Sequence, residues 1–198
     1  GVCLNWGCIP TKALIKSAQV FDYLKHAGDY GLVVKEYDKD FDAVVNRSRN
    51  VAAGMSKGVQ FVMKKNKIDV HSGFGSLKSA TEVVVDGEDG SKTLKAKNII
   101  LATGSVPRHL PFLKVDGKHV VSSDEILELK EPPKSLIVLG AGAVGMEFAS
   151  IYSRFGTKCT VLEMLDRVLP LEDREVSEEM AKCYKKRGID VMTSTKLE

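Results

Sequence analysis

Long hydrophobic runs are missing from this chain. None of its 198 residues lies in an apolar stretch near the roughly 20 residues that cross a bilayer as a helix, so no membrane partner is expected. Cysteine is scarce as well. Four (Cys3, Cys8, Cys159 and Cys183) are too few for a disulfide-dense secreted scaffold, so a reducing compartment is expected, the cytoplasm or, in a eukaryote, the mitochondrial matrix. The start carries no basic, apolar, small-residue signal sequence. Aromatic residues make up 7% of the chain and do not interleave with lysine runs such as Lys64, Lys65 and Lys67. With a net charge of only +3, those runs read as a solvated helix face and not as a nucleic-acid patch. The cysteines have no second Cys or His pair at matching spacing, so no metal site is expected. What remains, 43% hydrophobic and 28% charged, is the composition of a globular protein with a real core.

The chain lacks an initiating methionine, starts as a loop and stops just after a strand, and is expected to be a piece of something longer. After Pro10, apolar residues at 14, 15, 18, 21 and 24 follow helical period, and Gly28 is a natural stop. A second helix is expected from about Phe41 to Asn66, entered from Asp40, with Val44, Val45, Val51, Met55, Val59, Val62 and Met63 turned toward a core. "DVHSGFGSL", "TEVVV" and "KTLKAKNIILATG", joined by "DGEDG", read as a hairpin feeding a buried strand. Ser123 is placed to cap a short helix over "SSDEILEL". "KEPPK" reads as a boundary, with 1–132 on one side and 133–198 on the other. Beyond it, "SLIVLG", a buried-strand run, is followed by "AVGMEFASIYSRFG", "KCTVLEM", "REVSEEMAKCYKKRG" and "IDVMTS", alternating strand, helix, strand, helix, strand. That order implies an α/β fold with parallel pairing and right-handed crossovers.

The first of these crossovers carries the sharpest signal. "LIVLGAGAVGMEF" sets Gly140, Gly142 and Gly145 in a G-x-G-x-x-G arrangement that leaves a strand and opens a helix, and Glu163 ends the next strand. Gly140 would make the tight turn, Gly142 would admit a pyrophosphate to the backbone, and Gly145 would let helix pack on strand. The span Gly140, Ala141, Gly142, Ala143, Val144, Gly145, Met146, Glu147 is therefore the candidate dinucleotide loop, its helix N-terminus facing the phosphates. Glu163 would accept from the ribose hydroxyls and repel a 2′-phosphate, which favours NAD, although nearby Arg167 leaves NADP open. Glu147, two residues past the third glycine, has no role legible from the local pattern.

Cys3 and Cys8 pose a separate question. A staple between them would close a ring of about six residues, worth only about 2 kcal/mol by the chain-entropy estimate. A structural bridge is thus a poor explanation, and spacing alone leaves two unrelated cysteines and a working disulfide both open.

The cysteine pair ahead of a helix, taken with the dinucleotide motif, resembles the flavin-dependent pyridine nucleotide-disulfide oxidoreductases of class I, and among them the dihydrolipoamide dehydrogenases. "CLNWGCIPTKAL", "GFG" at 73 to 75, "ATGS" at 102 to 105, "GAGAVGMEFAS" and "TVLEMLDRVLP" fall in that family's order over essentially the whole chain. The resemblance implies two partial Rossmann-like FAD/NAD(P)-binding domains, with a β-hairpin or meander in the first (1–132) and a parallel βαβαβ unit in the second (133–198). It implies a redox-active disulfide, with Cys3 as the interchange thiol and Cys8 as the thiolate facing FAD. Lys12 would lie by the flavin ring, Gly75 by its adenine end, and Ala102, Thr103, Gly104 and Ser105 along the flavin. Glu147 would pair with Lys12 across the two domains. A helix N-terminus and a nearby lysine would lower the Cys8 pKa. The implied partners are a lipoyl-bearing acyltransferase or a glycine-cleavage carrier protein, and a second copy in a homodimer.

The chain also departs from that pattern. The family's first G-x-G-x-x-G, expected some tens of residues ahead of Cys3, is not in this sequence, nor are the later NAD-domain half, the second flavin segment and the interface domain with its general base. His26, His71, His109 and His119 do not match that base, and Cys159 and Cys183 read as inert thiols. The piece itself is therefore expected to be inactive. Glutathione- and mercuric-reductase-like enzymes are rivals within the superfamily. Outside it stand a non-catalytic NAD-binding redox sensor and a scaffold subunit without cofactors.

Overall fold

The computed structural model describes residues 1–197. Among them lie five α-helices and six strands: α1 (Val2–Asn5), α2 (Cys8–Lys25), α3 (Phe41–Lys65), β1 (Phe74–Ser79), β2 (Glu82–Gly87), β3 (Gly90–Lys95), β4 (Ser135–Leu139), α4 (Ala143–Arg154), β5 (Lys158–Leu162), α5 (Arg174–Lys186) and β6 (Asp190–Met192). Strands β4, β5 and β6 form a parallel sheet in that order, with Val138 opposite Val161 and Val161 opposite Val191. This is the expected βαβαβ unit. Strands β1, β2 and β3 form an antiparallel meander. Both sheets make this a mixed α/β fold.

One apolar cluster joins the two halves of the chain. Leu14 and Ala18 of α2 and Phe41 and Val45 of α3 lie in it with Met146, Phe148, Ala149, Ile151 and Tyr152 of α4, Phe155 just beyond, and Cys159 and Val161 of β5. Phe41 meets Phe155 edge-on at 5.1 Å between ring centres, and Phe21 stacks on the same ring at 5.5 Å. Polar links run beside this packing. Tyr152 Oη donates to the Ile126 carbonyl at 2.7 Å, Lys25 Nζ to the Arg154 carbonyl at 2.5 Å, and Lys39 Nζ to the Phe155 carbonyl. Tyr184 Oη of α5 reaches the Met146 carbonyl at 2.6 Å, fixing α5 to α4.

Several expectations need correction. The chain begins in a one-turn helix, α1, and not in a loop. Helix α2 ends at Lys25, and Gly31 takes the left-handed turn (φ 72°) after a 3-10 turn at Ala27–Tyr30, so Gly28 is not the stop. Only the first half of α3 is buried (Phe41, Val45, Ser48, Ala52). Val51, Met55, Val59 and Val62 stand in solvent because α2 and α4 meet α3 only near its start. Residues 96–102 pair with no strand among the described residues and leave Ile100 90% exposed. An apolar run forms a strand only when a neighbour takes its backbone groups. Strand β4 is an edge with one open face, Ile137 being 64% exposed, and not a fully buried run. Ser122, not Ser123, organises the 3-10 turn at Glu125–Glu128: its N–H donates to Glu125 Oε2 at 2.6 Å, and its Oγ accepts from Asp124 N.

Helix α3 enters as expected, with Asp40 Oδ1 accepting from Ala43 N at 2.9 Å. Asp40→Ala leaves that donor without its cap and is expected to destabilise the chain by about 1 kcal/mol. The check is a lower urea midpoint at unchanged slope.

Candidate active site

Cys3 and Cys8 are joined as a disulfide, with Cα atoms 4.6 Å apart. The ring is built by helix geometry at both ends. Within α1, Asn5 N donates to Gly1 O, and Trp6 N to Val2 O at 2.7 Å. Gly7 is the N-cap of α2 and carries no side chain to cap it. A Cβ at Gly7 would lie 3.2 Å from the Val2 carbonyl oxygen and 3.3 Å from Cys3 Cα, so a bare glycine lets the two helical turns close on each other. Cys8 therefore opens an 18-residue helix whose first N–H groups are uncapped, an electropositive setting for a thiolate. Both cysteines are solvent-exposed.

One helical turn further on, Lys12 Nζ donates to Glu147 Oε1 at 2.5 Å, joining α2 to α4. Glu147 thereby gains the partner that its local sequence did not reveal. The pair is only partly withdrawn from water, Lys12 being 60% exposed, so it orients more than it stabilises.

The glycine loop sits at the other end of the same contact. Gly140 has φ 101°, the left-handed region that a turn here requires. A Cβ on Gly145 would fall 2.1 Å from the Gly140 carbonyl oxygen and 2.9 Å from Val138 Cγ1, so this glycine lets α4 lie against β4. Around Gly142 nothing would meet a Cβ within 4 Å, and the start of α4 has no side-chain cap. Ala143 and Val144 are exposed, whereas Ala141 and Met146 are buried and could offer a ligand only backbone. Glu163, 8% exposed, accepts from Ala141 N at 2.7 Å through Oε2 and from Leu165 N at 2.8 Å through Oε1. It ties the loop to the end of β5.

The remaining candidates are more scattered. Gly104 takes a left-handed φ of 82°, and its position beside Val2 Cγ2 sets the Ala102–Ser105 turn next to α1. All four residues of that turn are exposed, as is Gly75 in the meander. Cys159 is buried and its thiol pushed up to about 11 by loss of solvent, while Cys183 is partly exposed on α5. One residue without a sequence signal of its own also reaches the disulfide segment. Arg49 of α3 lays its guanidinium over Trp6, and its Nη2 donates to the Asn5 carbonyl. A lone tryptophan between the two cysteines was the available signal for a stacking partner.

A disulfide at a helix N-terminus, paired through Lys12 with the helix that follows a G-x-G-x-x-G loop, fits a class that passes electrons between thiols and a nucleotide. The family model described as pyridine nucleotide-disulphide oxidoreductase matches residues 1–198, and the chain belongs to that family. A dihydrolipoyl dehydrogenase of Chlorobaculum tepidum is 48% identical over 199 residues, taking in 100% of this chain and 42% of its own length. One from Bacillus subtilis is 41% identical over 206 residues, again over 100% of this chain and 44% of its own. Among solved structures, LpdA from Mycobacterium tuberculosis matches with a TM-score of 0.89 at 26% identity, over 98% of this chain and 43% of that one. The HOCl-induced flavoprotein disulfide reductase RclA from Escherichia coli matches at 0.81 and 29%, over 100% and 41%. The chain thus spans less than half the length of these relatives.

Two outcomes follow from the geometry. Gly145→Ala forces a methyl onto a backbone oxygen that cannot move aside, so a loss of about 1–3 kcal/mol is expected in urea unfolding. Alkylation of the native chain should modify Cys183 fastest while the disulfide is intact, should add Cys3 and Cys8 after mild reduction, and should leave Cys159 unmodified until unfolding. Peptide mass mapping checks it.

Proposed function

We propose that these residues serve, in the full-length protein, an NAD-dependent dihydrolipoyl dehydrogenase that oxidises dihydrolipoyl groups through the Cys3–Cys8 disulfide. The observation that carries the reading is the disulfide itself, closed at the open N-terminus of α2 and one ion pair away from the dinucleotide helix. The identity to curated dihydrolipoyl dehydrogenases supports the choice of substrate class within the family.

The chemistry assigned to the chain's own side chains is thiol–disulfide exchange. A dihydrolipoyl thiolate attacks Cys3 Sγ, the Cys3–Cys8 bond breaks, and Cys8 leaves as a thiolate stabilised by the α2 N-terminus. The second lipoyl sulfur then attacks its own partner sulfur bonded to Cys3 and releases the Cys3 thiol. The lipoyl group departs as a disulfide, and the two electrons stay on the cysteine pair. Because the two enzyme sulfurs are held together, the return to disulfide is intramolecular.

The residues present fit the phosphate and ribose end of one dinucleotide and supply part of a site for a second. Gly140, Gly142 and the uncapped start of α4 leave open space and free N–H donors where a pyrophosphate would approach. Glu163 would hold the ribose hydroxyls of NAD. Arg167 supports NAD over NADP, because its Nη2 already donates to the Pro170 carbonyl at 2.9 Å and its Nη1 lies 3.9 Å from Asp166 Oδ1. Lys12, Gly75 and the Ala102–Ser105 turn would hold FAD, which when bound relays a hydride between a dithiol and a nicotinamide. In this reading 1–132 is part of the FAD-binding domain and 133–198 the first part of the NAD-binding domain. The partners are a second copy and a lipoyl-bearing acyltransferase or glycine-cleavage carrier. These 198 residues alone are assigned no turnover.

The test is the initial rate of NAD reduction by dihydrolipoamide with the full-length protein, beside glutathione disulfide reduction with NADPH. A high first rate that falls by about a thousandfold or more in Cys3→Ser and in Cys8→Ser is expected. High activity in the second assay alone would overturn the substrate and nucleotide assignments.

A further inference from the structure

Between its two cysteines the redox segment has only Leu4, Asn5, Trp6 and Gly7, and a side chain from 44 residues away in sequence grips the middle of it. Arg49 Nη2 donates to the Asn5 carbonyl at 2.5 Å, and the guanidinium carbon lies 4.5 Å from the centre of the Trp6 ring. Its Nε lies 3.7 Å from Glu128 Oε1 in the 3-10 turn that also receives Tyr152 through the Ile126 carbonyl. The arginine side chain is 24% exposed, and its Nη1 is buried with no partner among the described residues. One planar group is therefore held from α3, from the 3-10 turn and from the redox segment at once. Only an arginine fork can donate to a carbonyl and stack on a ring in the same plane.

When the Cys3–Cys8 bond opens, the segment loses its covalent closure, and re-forming the bond depends on how closely the two thiols are kept together. Backbone bonds from Asn5 N to Gly1 O and from Trp6 N to Val2 O hold the segment to α1, and the bond from Thr11 N to Gly7 O holds its other end to α2. Arg49 adds a hold that those bonds do not supply, on the Asn5 carbonyl and the Trp6 ring, from an element outside the segment. We infer that Arg49 is a positioning residue of the redox pair: through the Asn5 carbonyl and the Trp6 ring it keeps the reduced segment in its ring-closing shape and raises the effective concentration of the two thiols. This rests on the reading that Cys3 and Cys8 cycle between disulfide and dithiol. A second effect has the opposite sign, since a cation near a thiolate favours the reduced pair. The charged groups facing the segment are Lys12 on α2, Glu147 on α4, Arg49 itself on α3 and Glu128 in the 3-10 turn. Shape and charge are separated by comparing two substitutions, one that keeps the charge and one that removes it.

The experiment equilibrates full-length parent, Arg49→Met and Arg49→Lys proteins in glutathione redox buffers and counts Cys3 and Cys8 thiols by acid quench, alkylation and mass shift. The expected result is that both variants shift the disulfide-to-dithiol ratio toward dithiol by about fivefold to tenfold, because lysine keeps the charge but not the fork. Trp6→Leu, with Arg49 intact, is expected to shift it the same way and carries the test should either arginine variant fail to fold. Adding Arg49→Met to Trp6→Leu should then change the ratio by less than Arg49→Met does in the parent. An unchanged ratio in Arg49→Met, a shift toward disulfide, or a shift in Arg49→Met that Arg49→Lys abolishes would each overturn the inference. A parent protein that forms no reversible Cys3–Cys8 bond would overturn both this inference and the function on which it rests.

Discussion

Helix α4 is buried from both sides, and the rest of the structure depends on that constraint. One face lies on the parallel sheet and the other against α2 and α3, with Phe148, Ala149, Ile151 and Tyr152 all at 5% exposure or less. A helix sandwiched this way cannot carry a polar stripe of ordinary width. Its polar groups are confined to the two ends, and function collects there. At the N-terminal end stand the glycine loop and Glu147. At the other, Arg154 Nη1 bonds Ser150 Oγ at 2.5 Å while its Nε lies 3.6 Å from Asp22 of α2. Helix α2 is thus referenced to α4 at both ends, with apolar packing between.

The two kinds of contact do different work. Burying a large apolar side chain stabilises by about 1.5–3 kcal/mol, and the cluster around Phe41, Tyr152 and Phe155 supplies several such contacts. An ion pair as exposed as Lys12–Glu147 contributes about 0–1 kcal/mol. Adhesion between the two halves is therefore apolar, and the pair sets direction: it fixes which way Lys12 leans from the turn after Cys8. A lysine held by a flexible, partly hydrated carboxylate can still reorient when another negative or polar group approaches, which a buried pair could not do without a large desolvation cost.

What could be read from sequence follows the same division. Period-2 and period-3.6 patterns are local, so the βαβαβ unit and both long helices were legible, and the G-x-G-x-x-G turn was recognisable because Gly140 and Gly145 each answer a local steric demand. Burial is not local. "SLIVLG" and "NIILATG" read as buried strands, yet Ile137 and Ile100 face solvent, because apolarity says that a segment prefers cover and not which segment supplies it. The same limit hid the outer half of α3. At the site, the loop glycines announced themselves by spacing and Cys3 and Cys8 by a resemblance, whereas Glu147 needed a partner 135 residues away and Arg49 had no pattern at all. Long-range polar contacts have no period, and only the fold brings them together.

Glu163 shows how one residue can satisfy a structural demand and remain available to a ligand. A carboxylate has about four acceptor sites, and the N–H groups of Ala141 and Leu165 occupy two of them. Those two bonds close the glycine loop onto the end of β5, next to the Gly140 N–H that donates to the Leu162 carbonyl. They also hold the carboxylate in one orientation and largely out of water before any ligand arrives. A free-swinging glutamate would lose rotamer freedom and hydration on accepting a diol, whereas this one has given up most of both on folding. The loop that would cradle a pyrophosphate and the acid that would take the ribose are thus made rigid by the same two hydrogen bonds. That is why the acidic residue sits at the end of the neighbouring strand, where the backbone of the glycine turn comes within its reach.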